Sequence, residues 1–486
     1  MKNIFSNFKY DLPASIVVFF VALPLCLGIA LASGAPLFSG IISGIIGGII
    51  VGILSGSALG VSGPAAGLTV ITLGYIATLG NSWESFLLAV VLTGLIQLIA
   101  GFLKLGTIAY YFPSSVIKGM LSGIGILIIS KQIPHAIGYV DSENIFTPNV
   151  VIITLISMLI LITWEEILVK KFKILKVIPS PLMAVIAGII LSNFLSLEED
   201  QIVQIPVATN FNEFLSQFTL PDFSQIKNPQ IYAMALVMSV VASLETLLCV
   251  EAADKLDPKK RVTPTNRELK AQGLGNIISG LIGGLPITQV VVRSSANIDF
   301  GGKSKLSTII HGFLLLISAI TIPKVLNMIP LATLACILLV VGYKLTKPTI
   351  LKKIYKMGAE QLIPFTATVI GMLAFDLLIG ITIGMTTAII FILHNNFRNP
   401  YVSFKDTEGK NHKHVIKLSE EVSFLNKGSI LQMLNQIPEN SDVVIDGTRT
   451  VFIHYDVIEI IHDFRTNAKS KNISLEIKGI NFKKIN

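Results

Sequence analysis

Residues Gly283–Gly302 read GGLPITQVVVRSSANIDFGG. A Gly-Gly-Leu-Pro break runs into Val290-Val291-Val292, and Arg293 then stands beside Ser294, Ser295 and Asn297 ahead of a second glycine pair. Apolar segments lie on both sides. A guanidinium at the centre of a membrane helix costs ~2.5–3.5 kcal/mol on insertion scales, so such a charge faces a water-filled cavity or a partner. The bland reading places Arg293 in an interfacial loop among headgroups; the other makes it a functional-site residue.

Composition supports the membrane setting. Of the 486 residues 52% are hydrophobic and 14% charged, with a mean hydropathy of +0.71. Soluble domains carry roughly 25% charged residues, so the chain reads as a polytopic protein whose partner is the lipid bilayer. The net charge of +8 is no nucleic-acid footprint, because the bases sit in short loops between apolar spans and in the tail. Cys26, Cys249 and Cys336 fall inside apolar segments and imply neither a disulfide framework nor a metal site. The opening MKNIFSNFKYDLP lacks a short apolar region ending in a small-residue cleavage site, so no cleaved signal peptide is expected.

Apolar stretches of span length follow one another from Pro13 to about His394. They fall near 13–33, 38–56, 61–79, 84–104, 112–130, 150–169 and 178–196, then near 229–250, 265–283, 285–298, 304–322, 325–343, 359–376 and 377–395. The count is about fourteen, as two sets of about seven, repeats of about 13–196 and 229–395. The third and tenth are the shortest and most interrupted by Gly and Pro. In the second, Gly40, Gly44, Gly48, Gly52 and Gly56 recur every fourth residue, a ridge that lets a neighbouring helix approach closely.

Loop charge orients the chain. Residues 198–228 hold Glu198, Glu199, Asp200, Glu213 and Asp222 against Lys227, while 255–270 hold Lys255, Lys259, Lys260, Arg261, Arg267 and Lys270 against Asp257 and Glu268. Lys170, Lys171, Lys173 and Lys176 crowd another loop, as do Lys344, Lys347, Lys352, Lys353 and Lys356. With the spans counted as above, every basic loop falls on one side. The positive-inside rule makes that side the cytoplasm, with both termini there, in a multi-pass, bacterial-type inner membrane. Beyond residue 398 the chain turns charged, and strand-like (414–418, 442–445, 473–477) and helix-like (427–437, 456–468) stretches alternate. The expected division is a membrane domain over 1–398 and a small cytoplasmic α/β module over 399–486.

Two features carry chemistry. Ser62-Gly63-Pro64-Ala65-Ala66-Gly67 opens the third span and Pro286-Ile287-Thr288-Gln289 the tenth, each a break before a short apolar helix. Interrupted segments at matched positions in two halves point to a transporter's midplane site, and two helix N-termini there attract an anion. Two ordinary kinked helices are the alternative. Glu245, in SVVASLETLLCVEAADK, is too far from either end to snorkel, so it pairs with a cation, binds a proton or faces water. It suits a static pair with Arg293 and a coupling Na⁺ or H⁺ site about equally. Glu251 and Asp254 read as interfacial, Lys118 as snorkelling, Asp376 as near the outer interface, and Gln97 and His311 as helix–helix hydrogen bonders. Glu165 and Glu166 with Lys170 and Lys171 read as i,i+4 pairs at a helix end. No HExxH, Walker A loop or GxSxG elbow is present, so an enzyme is not expected.

The stretches DLPASIVVFFVALPLCLGIALASGAP, LGVSGPAAGLTVI, SLETLLCVEAADKLD and NRELKAQGLGNIISGLIGGLPITQVVVRSSAN, with the C-terminal module, resemble the SulP family of anion transporters, the sulfate permease group. The resemblance covers nearly the whole chain. It implies a seven-plus-seven inverted repeat, a core domain sliding against a gate domain, a STAS-like tail, a homodimer, and an anion held between the N-termini of spans three and ten. By position, the resemblance draws on Leu25, Ile29, Ala65, Ala66, Val292 and Arg293, and Gly63, Thr288 and Ser294 complete the candidate anion-binding set. Glu245 and Cys249 are the candidate coupling-ion residues; a sodium-dependent relative would offer a hydroxyl where Cys249 stands. Leu25 replaces a glutamine common in the family, which leaves more of the binding to backbone N–H groups. In the STAS-like module the loop Phe452–Asp456 has no Ser or Thr, so the module points to assembly and not to phosphorylation. Apart from a coupling ion, no cofactor is implied. The family's range is sulfate, bicarbonate, chloride and, in some bacterial members, dicarboxylates; VIKGML, KQIPHAIGY and VEAADKLDPKKR resemble bacterial members linked to bicarbonate. A nucleobase carrier of the same architecture and a membrane-anchored STAS scaffold are the alternatives.

Overall fold

The computed structural model describes residues 7–138, 147–172, 178–208, 211–375, 377–398, 401–406 and 413–482. Lys173, Lys176 and Asp376 therefore lie outside the described residues. The protein is a helical membrane protein with a small α/β module at its C-terminal end, and each expected span has its helix. The first half holds α1 (Phe8–Ala32), α2 (Leu37–Leu54), α3 (Ala66–Thr78), α4 (Trp83–Phe102), α5 (Ser114–Ile137), α6 (Pro148–Lys171) and α7 (Ser180–Leu195). The second holds α8 (Pro229–Leu256), α9 (Thr265–Leu281), α10 (Val291–Asp299), α11 (Leu306–Thr321), α12 (Leu331–Lys356, interrupted before Pro348), α13 (Ala359–Ala374) and α14 (Leu377–Arg398). Among the described residues, eight helices are long and apolar enough to cross a membrane unaided. The others are shorter or, like α9, too polar.

The glycine ridge of α2 packs as its spacing demands. A Cβ at Gly48 would lie 2.6 Å from Gly312 Cα on α11, and one at Gly44 would meet Cys26 Sγ on α1 at 2.6 Å. A π-helical turn at Gly47–Val51 sits in mid-ridge, where the loss of side chains lets the backbone widen. The same device recurs elsewhere. Gly94 of α4 and Gly273 of α9 each face the other's carbonyl oxygen, and so do Gly125 of α5 and Gly342 of α12. Helices thus meet backbone to backbone, which compensates for the missing hydrophobic drive between helices in lipid.

Ahead of α3 and α10 the chain is extended. Strand β1 (Ser62–Pro64) pairs antiparallel with β2 (Ile287–Gln289), Gly63 opposite Thr288. Antiparallel pairing puts a local two-fold axis between the halves, as an inverted repeat requires.

By internal contacts the chain falls into two compact units, residues 1–358 with 365–384 and residues 359–364 with 385–486. In the second, β3 (Tyr401–Asp406), β4 (Lys413–Leu418), β6 (Asp442–Asp446) and β8 (Ser474–Lys478) form a sheet in the order β3-β4-β6-β8, antiparallel at its first pair and parallel beyond. The short strands β5 (Glu421–Val422) and β7 (Phe452–Ile453) pair separately. Helices α15 (Lys427–Asn435) and α16 (Tyr455–Ala468) bury Ile430, Leu434, Val457 and Ile461 against Ile416 and Ile445 of the sheet. His454, in the loop noted for lacking Ser and Thr, caps α16 by accepting from the Asp456 N–H at 3.3 Å. The Lys427 ammonium donates to Asp456 at 2.9 Å and holds that carboxyl below the usual carboxylate range.

Candidate functional site

The two breaks meet at the β1–β2 crossing, and α9 holds them there. Glu268, Gln272, Asn276 and Ser279 share one buried face of α9. The Asn276 amide clamps Ile287 of β2, accepting its N–H at 2.6 Å and donating to its carbonyl at 3.1 Å, while it also donates to Gln97 of α4 at 2.7 Å. Gln272 donates to Ser62 Oγ of β1 at 2.7 Å and to Glu268 at 3.0 Å. Glu268 in turn accepts from the Ser55 hydroxyl at 2.5 Å and the Gly56 N–H at 3.2 Å. Buried backbone polar groups must be paired, and two three-residue strands lack neighbours on their outer edges. Asn276 supplies for Ile287 what a further strand would, and Thr246 of α8 does the same for the Gln289 N–H at 3.3 Å. Glu268, Gln272 and Asn276 lie within the NRELKAQGLGN run, and their i, i+4, i+8 spacing was the available signal.

Helix α10 is inside out for a soluble helix. Val291 and Val292 are 41% and 42% exposed, whereas Arg293, Ser294 and Asn297 are buried. Ser294 accepts the Val61 N–H at 3.0 Å and Asn297 donates to the Leu59 carbonyl at 2.9 Å, so both hold the approach to β1. Arg293 is 1% exposed and donates to Cys26 Sγ on α1 at 3.4 Å; its Nη1 is unpaired. A Cβ at Gly63 would collide with that Nη1. Gly63 is what lets the guanidinium reach β1, and the interfacial-loop reading of Arg293 falls.

Glu245 of α8 is buried and accepts the Gly67 N–H at 3.2 Å, at the start of α3. Its Oε2 completes no hydrogen bond, although the Thr288 hydroxyl lies beside the carboxylate. The pairing of Glu245 with Arg293 is not formed. The carboxylate meets the α3 N-terminus and Thr288, while the guanidinium meets α1 and β1, because the crossing strands come between α8 and the interior of the α1–α2 pair. Cys249, one turn on from Glu245, is buried with its thiol at the Val291 N–H.

The other candidates divide between the two faces. Leu25, Ile29, Gly63, Ala65 and Thr288 are buried; Ala66 is partly exposed and Val292 open. The Ala65 N–H donates to the Pro286 carbonyl at 3.1 Å, extending the crossing by one bond. Ser294 and Arg293 point away from the face that Val292 opens on, which sequence position alone had merged. Gln97 also donates to Ser243 on α8 at 3.2 Å, so it joins helices as expected. His311 instead contacts the Thr308 carbonyl of its own helix at 3.0 Å. Glu251 pairs with Lys255 and Glu166 with Lys170, both at helix ends and exposed.

A model of the sulfate permease family matches residues 8–368, about three-quarters of the chain. The chain belongs to the sulfate permease family. A Synechocystis relative, bicarbonate transporter BicA, is 29% identical over 404 residues, spanning 80% of this chain and 70% of its own length. A Bacillus subtilis relative named as a candidate sulfate transporter, YvdB, is 28% identical over 399 residues, spanning 80% and 74%. The solved transmembrane domain of a cyanobacterial BicA superposes with a TM-score of 0.64 at 26% identity, covering 79% of this chain and 98% of that domain. SLC26A9 shares the fold over 98% of this chain and 86% of its own, with a TM-score of 0.79 at 16% identity. The protein is accordingly an anion transporter of this family and not an enzyme.

Proposed function

We propose that the chain is a secondary active transporter of bicarbonate, with sulfate the other cargo the family names suggest, working by alternating access. The anion binds where α3 and α10 begin. The observation that carries this is the antiparallel crossing of β1 and β2, which brings two helix N-termini together beside an exposed apolar turn. Val292, Ala65 and Ala66 supply backbone and apolar surface, and Leu25 and Ile29 line the approach on α1. Arg293 adds charge through the Gly63 peptide without touching the anion.

Glu245 couples transport to a cation. As a carboxylate it occupies the Gly67 N–H, the kind of donor an anion needs; once protonated or cation-bound it competes less. The thiol of Cys249 is a poor oxygen-type ligand for Na⁺, which favours a proton. Two relatives carry the name bicarbonate transporter, which supports that cargo. The protein sits in a bacterial-type inner membrane with both termini cytoplasmic, and it works as a homodimer whose STAS-like module, residues 399–486, serves assembly.

Proteoliposome uptake of labelled bicarbonate and sulfate, with pH and Na⁺ varied, tests the reading. Wild-type protein should concentrate its anion in response to an imposed proton gradient. Glu245→Gln should only equilibrate it. Gradient-driven accumulation that survives in Glu245→Gln removes the coupling role.

A further inference from the structure

Between the spans α12 and α13 lies a short basic helix. The first part of α12 ends at Leu345, Lys347 breaks the axis at φ −45° and ψ 131°, and the helix resumes over Pro348–Lys356. Its sequence, PTILKKIYK, sets Ile350, Leu351, Ile354 and Tyr355 on one face and Lys352, Lys353 and Lys356 on the other. The apolar face is divided. Ile354 is buried and Ile350 half-buried against the protein, whereas Leu351, Tyr355 and, just past the helix, Met357 are 47%, 70% and 50% exposed. No acid stands between Lys344 and Gly358.

Other cations at the ends of spans are held by protein. Lys170 pairs with Glu166, Lys255 with Glu251 and Arg261 with Asp257, and Arg267 donates to the Leu54 carbonyl. Lys344 and Lys347, just ahead of the short helix, lie near Glu166. Among the described residues, Lys352, Lys353 and Lys356 have no ion-pair partner. Helix-end charge and the orientation rule account for bases in this loop. Neither accounts for the open apolar edge beside them. A helix with lysines along one side and open apolar residues along the other lies in a membrane interface, and tyrosine suits the headgroup level. We propose that Pro348–Lys356 lies in the bilayer interface at that end of α12 and that its three lysines bind the phosphates of anionic phospholipids. Leu351, Tyr355 and Met357 enter the acyl region beneath. Each lysine near such a surface strengthens binding about fivefold. Close packing of Gly125 on Gly342, and of Gly119 on Phe365 and Thr368, ties α5, α12 and α13 together. The helix therefore anchors those three spans to the leaflet while the helices that carry β1 and β2 move. That role, unlike the lipid binding, rests on the alternating-access reading.

Full-length protein carrying a nitroxide at Tyr355→Cys or at Lys353→Cys, in liposomes of phosphatidylglycerol and phosphatidylcholine, tests the placement. The native cysteines are buried and should stay unlabelled. The label at position 355 should be open to oxygen and shielded from a water-soluble nickel relaxant, and the one at 353 should meet more nickel. Two labels equally open to nickel, or shielded from both reagents by a covering protein, overturn the proposal. Replacing phosphatidylcholine by phosphatidylglycerol in mixed micelles should also raise the unfolding temperature of wild type. Lys352→Gln with Lys353→Gln and Lys356→Gln should remove about half of that rise or more, and so should about 0.5 M salt. An equal rise in the triple variant overturns the assignment. Free glycerol phosphate should not distinguish the two proteins; if it does, the lysines bind a soluble phosphate and the membrane docking falls. In proteoliposomes the triple variant should lower the maximal uptake rate and leave KM unchanged. If the lipid difference holds while wild type carries no anion, the lipid site stands and the transport reading falls.

Discussion

The leader of α3 and the leader of α10 share a backbone path and divide the chemistry. Each is a three-residue strand that bends into a short helix, and they pair residue for residue. The first, Ser62–Gly67, is almost bare of side chains. Its backbone pairs with β2 and Pro286, and the Gly67 N–H is taken by Glu245. The second carries the side chains that hold the first in place. Ser294 and Asn297 bind the approach to β1, and Arg293 reaches β1 through the gap that Gly63 leaves. Repetition thus sets the backbone geometry, while specialisation sits in the side chains of one copy. A site built from helix ends needs close approach on one side and rigid support on the other, and one residue type cannot supply both.

The comparison is broken most directly at Gly63 and its register partner Thr288. Gly63→Val drives a side chain into the Arg293 guanidinium and should cost about 3 kcal/mol of stability and abolish uptake. Thr288→Val keeps the volume and, with no completed hydrogen bond to lose, should leave thermal unfolding close to wild type. Equal damage from the two would mean that the leaders are not specialised as described.

A smaller effect sharpens the role of α9. Asn276→Ala orphans both backbone groups of Ile287 in β2 and should cost about 2 kcal/mol, whereas Gln272→Ala, whose partner is the Ser62 hydroxyl, should cost about 1 kcal/mol. Thermal unfolding in one detergent measures the difference, and a reversed order would show β1 to be the more dependent strand. The smallest contrast is between Ser294→Ala and Thr246→Ala. The first removes the acceptor for Val61 at 3.0 Å and should lower stability by about 1 kcal/mol; the second loses a longer contact to the Gln289 N–H at 3.3 Å and should cost about half of that.

Much of this was legible in the residues themselves. Apolar runs of span length, the breaks at Ser62–Gly67 and Gly283–Pro286, and the four-residue glycine period of α2 are local patterns, and the structure keeps all three. In the C-terminal module the alternation of strand and helix was readable. The edge strand β3 was not, because it gains its identity from pairing with β4.

Sequence by itself therefore determined which segments cross the membrane, where two of them break, and which polar residues are too costly to bury without a purpose. A covalent chain writes its periodicities locally, and burial costs attach to residue types. Only the tertiary structure decided the partners. It set Glu245 on the α3 N-terminus and not on Arg293, turned the polar face of α10 inward, and made the Asn276 amide of α9 a backbone clamp. Those outcomes depend on which faces meet when helices far apart in sequence pack, and no local pattern carries that information.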